Sequence, residues 1–198
     1  ALVREVAGAG QDIRLDYDRD TDTSVTVEAS RNFANKLWNA TRFALINLGN
    51  QSYDSCNDLN LEALQLSDRW ILSRLTRVNI NSSNRYKNYS LGEAAKGLYE
   101  FVWNDFCDWY LELIKNRLNP GETATEVELV DQTMARKVLL KVLSEILVVM
   151  HPLMPHLTEE LWHALTGAPE EKLLALQLWP QADNTYLNDQ LEASFSDL

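Results

Sequence analysis

Residues 31 to 43 combine side-chain types that can read nucleic-acid bases. The run R-N-F-A-N-K-L-W-N-A-T-R-F contains three asparagines, two arginines and one lysine. Asparagine amides and arginine forks suit the edges of unpaired RNA bases, while tryptophan or phenylalanine rings can stack on the base faces. Asparagine also has a low helix propensity, so three of them in one helix are unexpected for a purely structural helix. The run is therefore the leading candidate for a binding surface.

The helical period places the polar residues of this run on two flanks of one helix. The face directed inward is apolar and consists of Phe33, Leu37, Ala40, Ala44 and Leu48. One flank carries Arg31, Asn35, Trp38 and Arg42. The other flank carries Asn32, Lys36, Asn39 and Phe43. The sequence does not decide which flank binds, and any single asparagine could equally bridge to a neighbouring helix.

Signals for catalysis or metal binding are few. Glu160 and His163 form one Glu-x-x-His pair, a spacing that supplies two ligands in di-iron helical bundles. Such a site needs a second pair and two further inward glutamates, and the chain has only three histidines. Phosphate-binding glycine loops and nucleophile elbows have no matching motif. We therefore expect no catalytic residue and no metal site in this chain.

Asp105 and Asp108 lie among aromatic residues, where burial could adapt a carboxyl group to general acid catalysis. Their spacing places them on the same polar flank of a helix, without a basic or nucleophilic residue beside them. We expect structural hydrogen bonding from both.

The charge is distributed unevenly along this acidic chain, whose net charge is -11. Residues 1–30 and 119–198 are acidic, whereas residues 31–118 contain eleven basic and nine acidic side chains. A polyanion should therefore meet the middle segment, unless the charges only form solvated faces. The two cysteines are isolated in sequence and no apolar run could cross a bilayer, so we expect a reduced, cytoplasmic setting without a membrane contact.

Elements with a helical period dominate the pattern and predict an all-α antiparallel bundle. The first helix begins near Thr23 and stops at Gly49, and the second is capped by Ser67. Ser90 and Glu93 have the spacing of a capping box that opens a third helix. Its inward residues are Ala94, Leu98, Phe101, Val102, Trp109 and Leu113.

A fourth helix begins near Thr125 and ends at His151-Pro152, and a short fifth helix follows Pro155 and stops at Gly167. The inward stripe of the fourth helix consists of Val127, Val130, Met134, Val138, Val142, Ile146 and Val149.

The two ends of the chain have a different pattern. Ile13, Leu15 and Tyr17 alternate with polar residues, which predicts a short strand-like segment before an acidic connection. Residues 172–179 are predicted to be an extended cover, and residues 183–198 to begin another helix. The predicted organisation is a segment 1–22 that precedes a helical domain 23–198.

Four runs of the sequence resemble the anticodon-binding domain of the valyl-tRNA synthetases, a family of class I aminoacyl-tRNA synthetases. The first is the run of residues 31–43 described above. The others are R-E-V-A-G-A-G-Q-D-I-R-L-D-Y-D at 4–18, F-V-W-N-D-F-C-D-W-Y-L-E-L-I-K at 101–115 and H-P-L-M-P-H-L-T-E-E-L-W at 151–162. The last element is shared by several related synthetases, and the isoleucyl-tRNA synthetases are the nearest alternative. The other alternative is a purely structural helical module that docks proteins or braces a neighbouring domain.

The resemblance implies a full-length enzyme that joins valine to its tRNA with ATP and magnesium, in which this piece reads the anticodon loop. It also implies that residues 1–22 are the tail of a stem-contact segment. The H-I-G-H and K-M-S-K-S elements of such enzymes are absent from the chain, so it should be inactive alone. Expected partners are tRNA and the other domains of the synthetase, and we expect a monomer. The residues implied in tRNA contact are Arg31, Asn35, Lys36, Trp38, Asn39, Arg42 and Phe43.

Overall fold

The computed structural model describes residues 17–57 and 59–196 of the chain, and the part described is built from helices. The predicted strand-like residues Ile13 and Leu15 lie outside the described residues. Within the described ranges the only β pairing is an isolated bridge between Asp18 and Thr23. The all-α prediction is therefore confirmed, while the division at residue 22 stays a prediction. None of the described helices is long and apolar enough to cross a membrane.

Seven α-helices and one π-helical segment are described in the chain. The first three α-helices are α1 (Val25–Asn47), α2 (Leu66–Lys87) and α3 (Leu91–Glu100). The π-helical segment (Phe101–Tyr110) continues α3 and leads into α4 (Leu111–Leu118). The remaining helices are α5 (Glu126–Met150), α6 (Pro155–Thr166) and α7 (Asp189–Ser196).

Helix α5 lies at the centre of the bundle and packs against α1, α2, α4 and α6. Thirteen of its 25 residues are buried, and those from Val138 to Val149 are largely inaccessible to solvent. A helix with this much buried surface must be enclosed by other elements. The surrounding helices are amphipathic and cover α5 with their apolar faces, leaving their polar faces in solvent.

The ends of α1, α5 and α6 and the start of α3 after Ser90 agree with the sequence, whereas the predicted cap at Ser67 and the predicted capping box at Ser90 are wrong. Thr125 and Glu128 form a capping box at the start of α5, and Gly167 ends α6 in a left-handed conformation. Helix α2, however, is capped by Gln65 with Asp68, so Ser67 lies inside its first turn. Ser90 makes no side-chain cap bond at α3, whose Glu93 instead lies 4.0 Å from Arg85.

The predicted inward face of the third helix is correct through Val102 but wrong at its last two positions. Trp109 and Leu113 are 46% and 43% exposed, while Phe106, Tyr110 and Ile114 are buried in their place. A π-helix closes its hydrogen bonds between residues five apart and so has more residues in each turn than an α-helix. The ten π-helical residues therefore rotate the rest of the helix relative to a continuous α-helical period.

The predicted inward stripe of α5 is wrong at its first two positions. Val127 and Val130 are 78% and 57% exposed, whereas the stripe is buried from Met134 onward. The end of α4 is bonded to α5 through Arg117 and Asp131 at 2.8 Å, and through Gln132 and the Leu118 carbonyl oxygen at 2.7 Å. The part of α5 before Asp131 consequently extends past the end of α4, which cannot cover it.

This difference in burial predicts unequal costs for two similar substitutions in α5. Val127→Ala should change the free energy of unfolding by less than about 0.5 kcal/mol, as is usual for an exposed position. Val138→Ala should cost about 2 kcal/mol, because it removes fully buried methyl groups and leaves a cavity. Urea denaturation of both variants measures the difference, and equal costs would contradict the described end of the bundle.

The C-terminal segment covers the bundle only in part. Leu174 is buried, and its backbone N–H donates to Glu159 Oε1 at 2.6 Å. The predicted extended segment contains a single 3-10 turn, Leu174–Leu176, and Leu176 and Leu178 remain exposed.

Helix α7 then docks on α2 through a charged cluster beside a stacked pair of rings. Glu192 accepts hydrogen bonds from Ser73, Arg74 and Arg77, and Phe195 stacks on Trp70 at 4.7 Å. The Glu192 carboxylate and the Phe195–Trp70 stack therefore both hold α7 to α2.

The docking of α7 should weaken in acid. Burial alone would raise the pKa of Glu192, but hydrogen bonds from Arg77, Ser73 and Arg74 outweigh it and lower the pKa. A carboxyl group with a lowered pKa stabilises the folded state above the ordinary Glu pKa of about 4.3, and this contribution is lost as the pH falls through the lowered value. Hydrogen exchange of residues 189–196 should therefore accelerate below about pH 4 relative to the rest of the bundle. Glu192→Gln should remove this difference between acid and neutral pH.

Candidate nucleic-acid interface

Helix α1 is held on the bundle by the apolar face that the sequence predicts. Its five inward residues, Phe33, Leu37, Ala40, Ala44 and Leu48, are all buried. They face α5, α6 and the π-helical segment, which pack against α1. Ser24 caps the first turn by accepting from the Val27 N–H. After the last turn, Gly49 has a φ of +59°, and a side chain there would meet the Arg136 guanidinium at 2.9 Å.

The flank that carries Arg31, Asn35, Trp38 and Arg42 is open to solvent along its whole length. All four residues are exposed, and the Trp38 side chain is 47% accessible although it is a large aromatic residue. Neither Arg31 nor Arg42 forms an ion pair with the described part of the chain. The guanidinium groups and the indole ring therefore remain available for an external ligand.

The other flank faces the π-helical segment and is only partly open. Lys36 forms an ion pair with Asp108, and its ammonium lies 4.5 Å from the centre of the Trp103 ring. Phe43 is partly buried and packs against the core. Asn39, between them in sequence, is exposed. Lys36 and Phe43 therefore form the edge of the exposed surface, and Asn39 connects this edge to the open flank.

The exposed asparagines of α1 do not bridge to neighbouring helices. Asn35 and Asn39 are exposed, and no hydrogen bond joins their side chains to the described residues. The bridging role belongs instead to Asn47, whose Oδ1 accepts from Asn119 at 2.8 Å and whose Nδ2 donates to the Phe43 carbonyl oxygen. Within the described residues, the asparagine of α1 that bridges to another segment is thus Asn47 at its buried end, and not Asn35 or Asn39.

The exposed face of α1 is locally positive within an acidic chain. Between Ala29 and Asn47 the helix contains Arg31, Lys36 and Arg42 and no acidic residue. Asp108 neutralises Lys36, so the two arginines carry the unpaired positive charge. A locally positive surface attracts polyanions even when the net charge of the protein is negative.

Of the other sequence candidates, His163 and Asp105 make contacts within the fold. His163 contacts Glu159 at 3.3 Å and the Ala168 carbonyl oxygen at 3.1 Å, while Glu160 is exposed. The described residues include no group of three or more potential ligands placed to hold a metal ion. Asp105 pairs with Arg74 at 2.8 Å; burial raises the pKa of this carboxyl group, and Arg74 opposes the shift.

Sequence reasoning did not find the aromatic neighbours of Lys36. Phe33, Tyr99 and Trp103 form a ladder with ring centres 4.8 Å and 5.6 Å apart. Phe33 belongs to α1, whereas the other two rings come from α3 and the π-helical segment. Tyr99 and Trp103 are four residues apart, a spacing that suggests a shared helix face but does not show which helix they meet.

The fold belongs to a known class of domain. Residues 68–198, well over half of the chain, match the model of the family described as the anticodon-binding domain of tRNA ligase. The chain therefore belongs to this family. The matched residues begin inside α2, so α1 precedes them.

Relatives in several species extend the similarity to the whole chain. The Valine--tRNA ligase of Prochlorococcus marinus strain NATL2A is 69% identical over the entire chain, and that of Parasynechococcus marenigrum strain WH8102 is 68% identical. The Valine--tRNA ligase of Thermosynechococcus vestitus is 52% identical over 99% of the chain. The chain spans only 21%, 22% and 21% of the length of these three relatives. The similarity therefore includes α1 and concerns about a fifth of each ligase.

Proposed function

We propose that the chain recognises the anticodon loop of valine tRNA through the exposed face of α1. The observation that carries the proposal is the open flank of Arg31, Asn35, Trp38 and Arg42, which lacks ion-pair partners in the described residues. An exposed arginine, amide and indole on one helix face is the combination that binds unpaired bases. The family to which the chain belongs and the names of its relatives support tRNA as the ligand.

The proposed mechanism is the reading of a single-stranded loop. Bases of the loop splay out and stack on Trp38, and the amides of Asn35 and Asn39 bond to base edges. Arg31 and Arg42 contact phosphates or base edges from positions three turns apart. Lys36 and Phe43 border the same surface on the side of the π-helical segment. Phosphate contacts position the loop, and the base contacts supply the discrimination.

In a full-length ligase, this domain would select the tRNA while other domains join valine to it with ATP. ATP, its magnesium ion and valine would then bind to those other domains. The alternative of an isoleucyl enzyme is less well supported, because the relatives that match the whole chain at high identity are named for valine. The cytoplasmic location and the monomeric state stay predictions.

Footprinting of valine tRNA tests this proposal. The chain should protect the nucleotides of the anticodon loop from hydroxyl radicals or a single-strand nuclease, because these nucleotides would lie on α1. Protection confined to the acceptor stem, or none at saturating chain, would contradict the proposal.

Two single variants identify the flank that contacts the bases. Trp38→Ala should restore cleavage at one or more loop bases if the open flank provides the stacking ring. Phe43→Leu, which retains an apolar side chain against the core, should restore cleavage if the edge facing the π-helical segment provides it. A footprint unchanged by either variant would show that neither ring stacks on the loop.

A further inference from the structure

A second surface, far along the chain from α1, has the chemistry of a nucleic-acid site. The second half of α2 and the segment after Leu178 border an open groove of about 670 Å³. Its lining consists of Ile80, Ser83, Asn84, Tyr86, Lys87, Pro152, Trp179, Pro180, Gln181 and Ala182. The volume lies within the range of ordinary ligand pockets.

The groove lacks negative charge although the chain is strongly acidic. Lys87 is the only charged residue of its lining, in a chain with a net charge of -11. Between Asp68 and Glu93 the sequence contains five basic residues and no acidic one. Lys87 is exposed and forms no ion pair with the described residues. An anionic ligand would therefore meet one available ammonium group and no carboxylate in the groove.

Two aromatic rings at the groove are fixed in place through their polar atoms. The Tyr86 hydroxyl donates to the Val149 carbonyl oxygen at 3.1 Å, and the Trp179 Nε1–H donates to Ser83 Oγ at 2.7 Å. The two rings meet edge to face with centres 5.4 Å apart. Because each polar atom already has a partner, the rings can contribute apolar and stacking surface to a ligand. Asn84 and Gln181 add amide groups beside them.

Tyr89, two residues beyond Lys87, has a backbone conformation that is unfavourable for a residue with a side chain. The Ser90 N–H donates to the Arg85 carbonyl oxygen and the Tyr89 N–H to that of Tyr86, the two bonds of a Schellman cap. Tyr89 takes the left-handed position of this cap with a φ of 56°, where glycine is usual. Its side chain is 89% exposed, so packing does not compensate for the strain. A strained residue with an unpacked ring suggests a role in binding.

We propose that the groove and Tyr89 bind unpaired RNA nucleotides at a site separate from α1. Tyr89 and the groove rings stack on bases, Asn84 and Gln181 bond to base edges, and Lys87 contacts a phosphate. The absence of carboxylates from the lining and the unpaired lysine favour an anionic ligand. The aromatic rings beside amide groups favour unpaired bases over an acidic protein segment as that ligand.

The test is a fluorescence titration with an eight-nucleotide oligouridylate at several salt concentrations. It is performed in an Arg31→Ala/Arg42→Ala background, so that α1 contributes little to binding. Tyr89→Gly should weaken binding at least about fivefold, because loss of one stacked base contact has an effect of this order or larger. Lys87→Gln should lower the slope of log K against log salt by about 0.7, the value for one phosphate contact on a single strand.

Controls separate this site from general effects of the substitutions. Tyr89→Gly should unfold at the same temperature as the parent or higher, because glycine relieves the left-handed strain. Asp22→Gly, at the other described non-glycine residue with positive φ, should leave RNA binding unchanged.

Unchanged affinity in Tyr89→Gly and an unchanged salt slope in Lys87→Gln would together overturn the proposal. Binding of a proline-rich peptide to the groove with no RNA binding in this background would also overturn it. Because the same α1 background is used throughout, differences between the variants report on the groove and not on the proposed anticodon contact.

Discussion

Arg117→Ala is expected to lower the free energy of unfolding by about 3–5 kcal/mol, the usual cost of removing one partner from a buried ion pair. The Asp68 carboxylate is inaccessible to solvent, and Arg117 donates to both of its oxygens at 2.8 Å. Arg117 also donates to both oxygens of Asp131, and the Tyr110 hydroxyl donates to Asp68 at 3.2 Å. Burial alone would lower the pKa of Arg117, but the two carboxylates outweigh it and raise the pKa.

This network joins the starts of α2 and α5 to the end of α4, so its loss should destabilise the bundle as a whole. Urea denaturation gives the free energy of unfolding of the variant and the parent. Lys115→Ala, which breaks an exposed pair with Glu112 in the same helix, is the matched control and should cost less than about 1 kcal/mol. A cost for Arg117→Ala no larger than that of the control would contradict the described network.

The double variant Arg31→Ala/Arg42→Ala is expected to weaken binding of valine tRNA about 100-fold. A lost base or phosphate contact typically costs about 1–3 kcal/mol. The two arginines are separated by about three helical turns, roughly 16 Å at 1.5 Å per residue. Effects at this distance usually add. Both side chains are exposed, so the stability of the variant should remain within about 0.5 kcal/mol of the parent.

A matched control removes two positive charges elsewhere on the surface. Lys115→Ala/Lys172→Ala lowers the net charge by the same amount but leaves α1 unchanged, and both lysines are exposed. This variant should bind valine tRNA within a factor of about three of the parent, because only long-range attraction is reduced. Equal losses in the two double variants would mean that charge alone, and not the surface of α1, determines the affinity.

The inward face of α1 could be predicted from sequence because it depends on a single helical period. Phe33, Leu37 and Ala44 recur at this period and are all buried. Which flank is open could not be predicted, because it depends on where the π-helical segment lies. That segment brings Asp108 to Lys36 and leaves Arg31 and Arg42 without such partners.

The sequence predictions failed where neighbouring elements, and not the local pattern, determine burial. Trp109 fits an α-helical period, but the π-helical residues before it turn the side chain outward. Val127 continues the apolar stripe of α5, yet α4 ends at Leu118 and cannot cover it. In both places the sequence has the apolar period of an α-helix. Before Trp109, however, the helix is π-helical, and at Val127 the neighbouring helix that would cover the side chain has ended.

The most direct test of the proposed function compares two tRNAs that differ in one base. The chain is titrated at one stated low salt concentration with valine tRNA and with the same tRNA altered at the middle anticodon position. Recognition through α1 predicts that the altered tRNA binds about tenfold more weakly or worse, because a base contact is lost while the phosphate contacts remain. Equal affinity for the two tRNAs would contradict anticodon recognition by this domain.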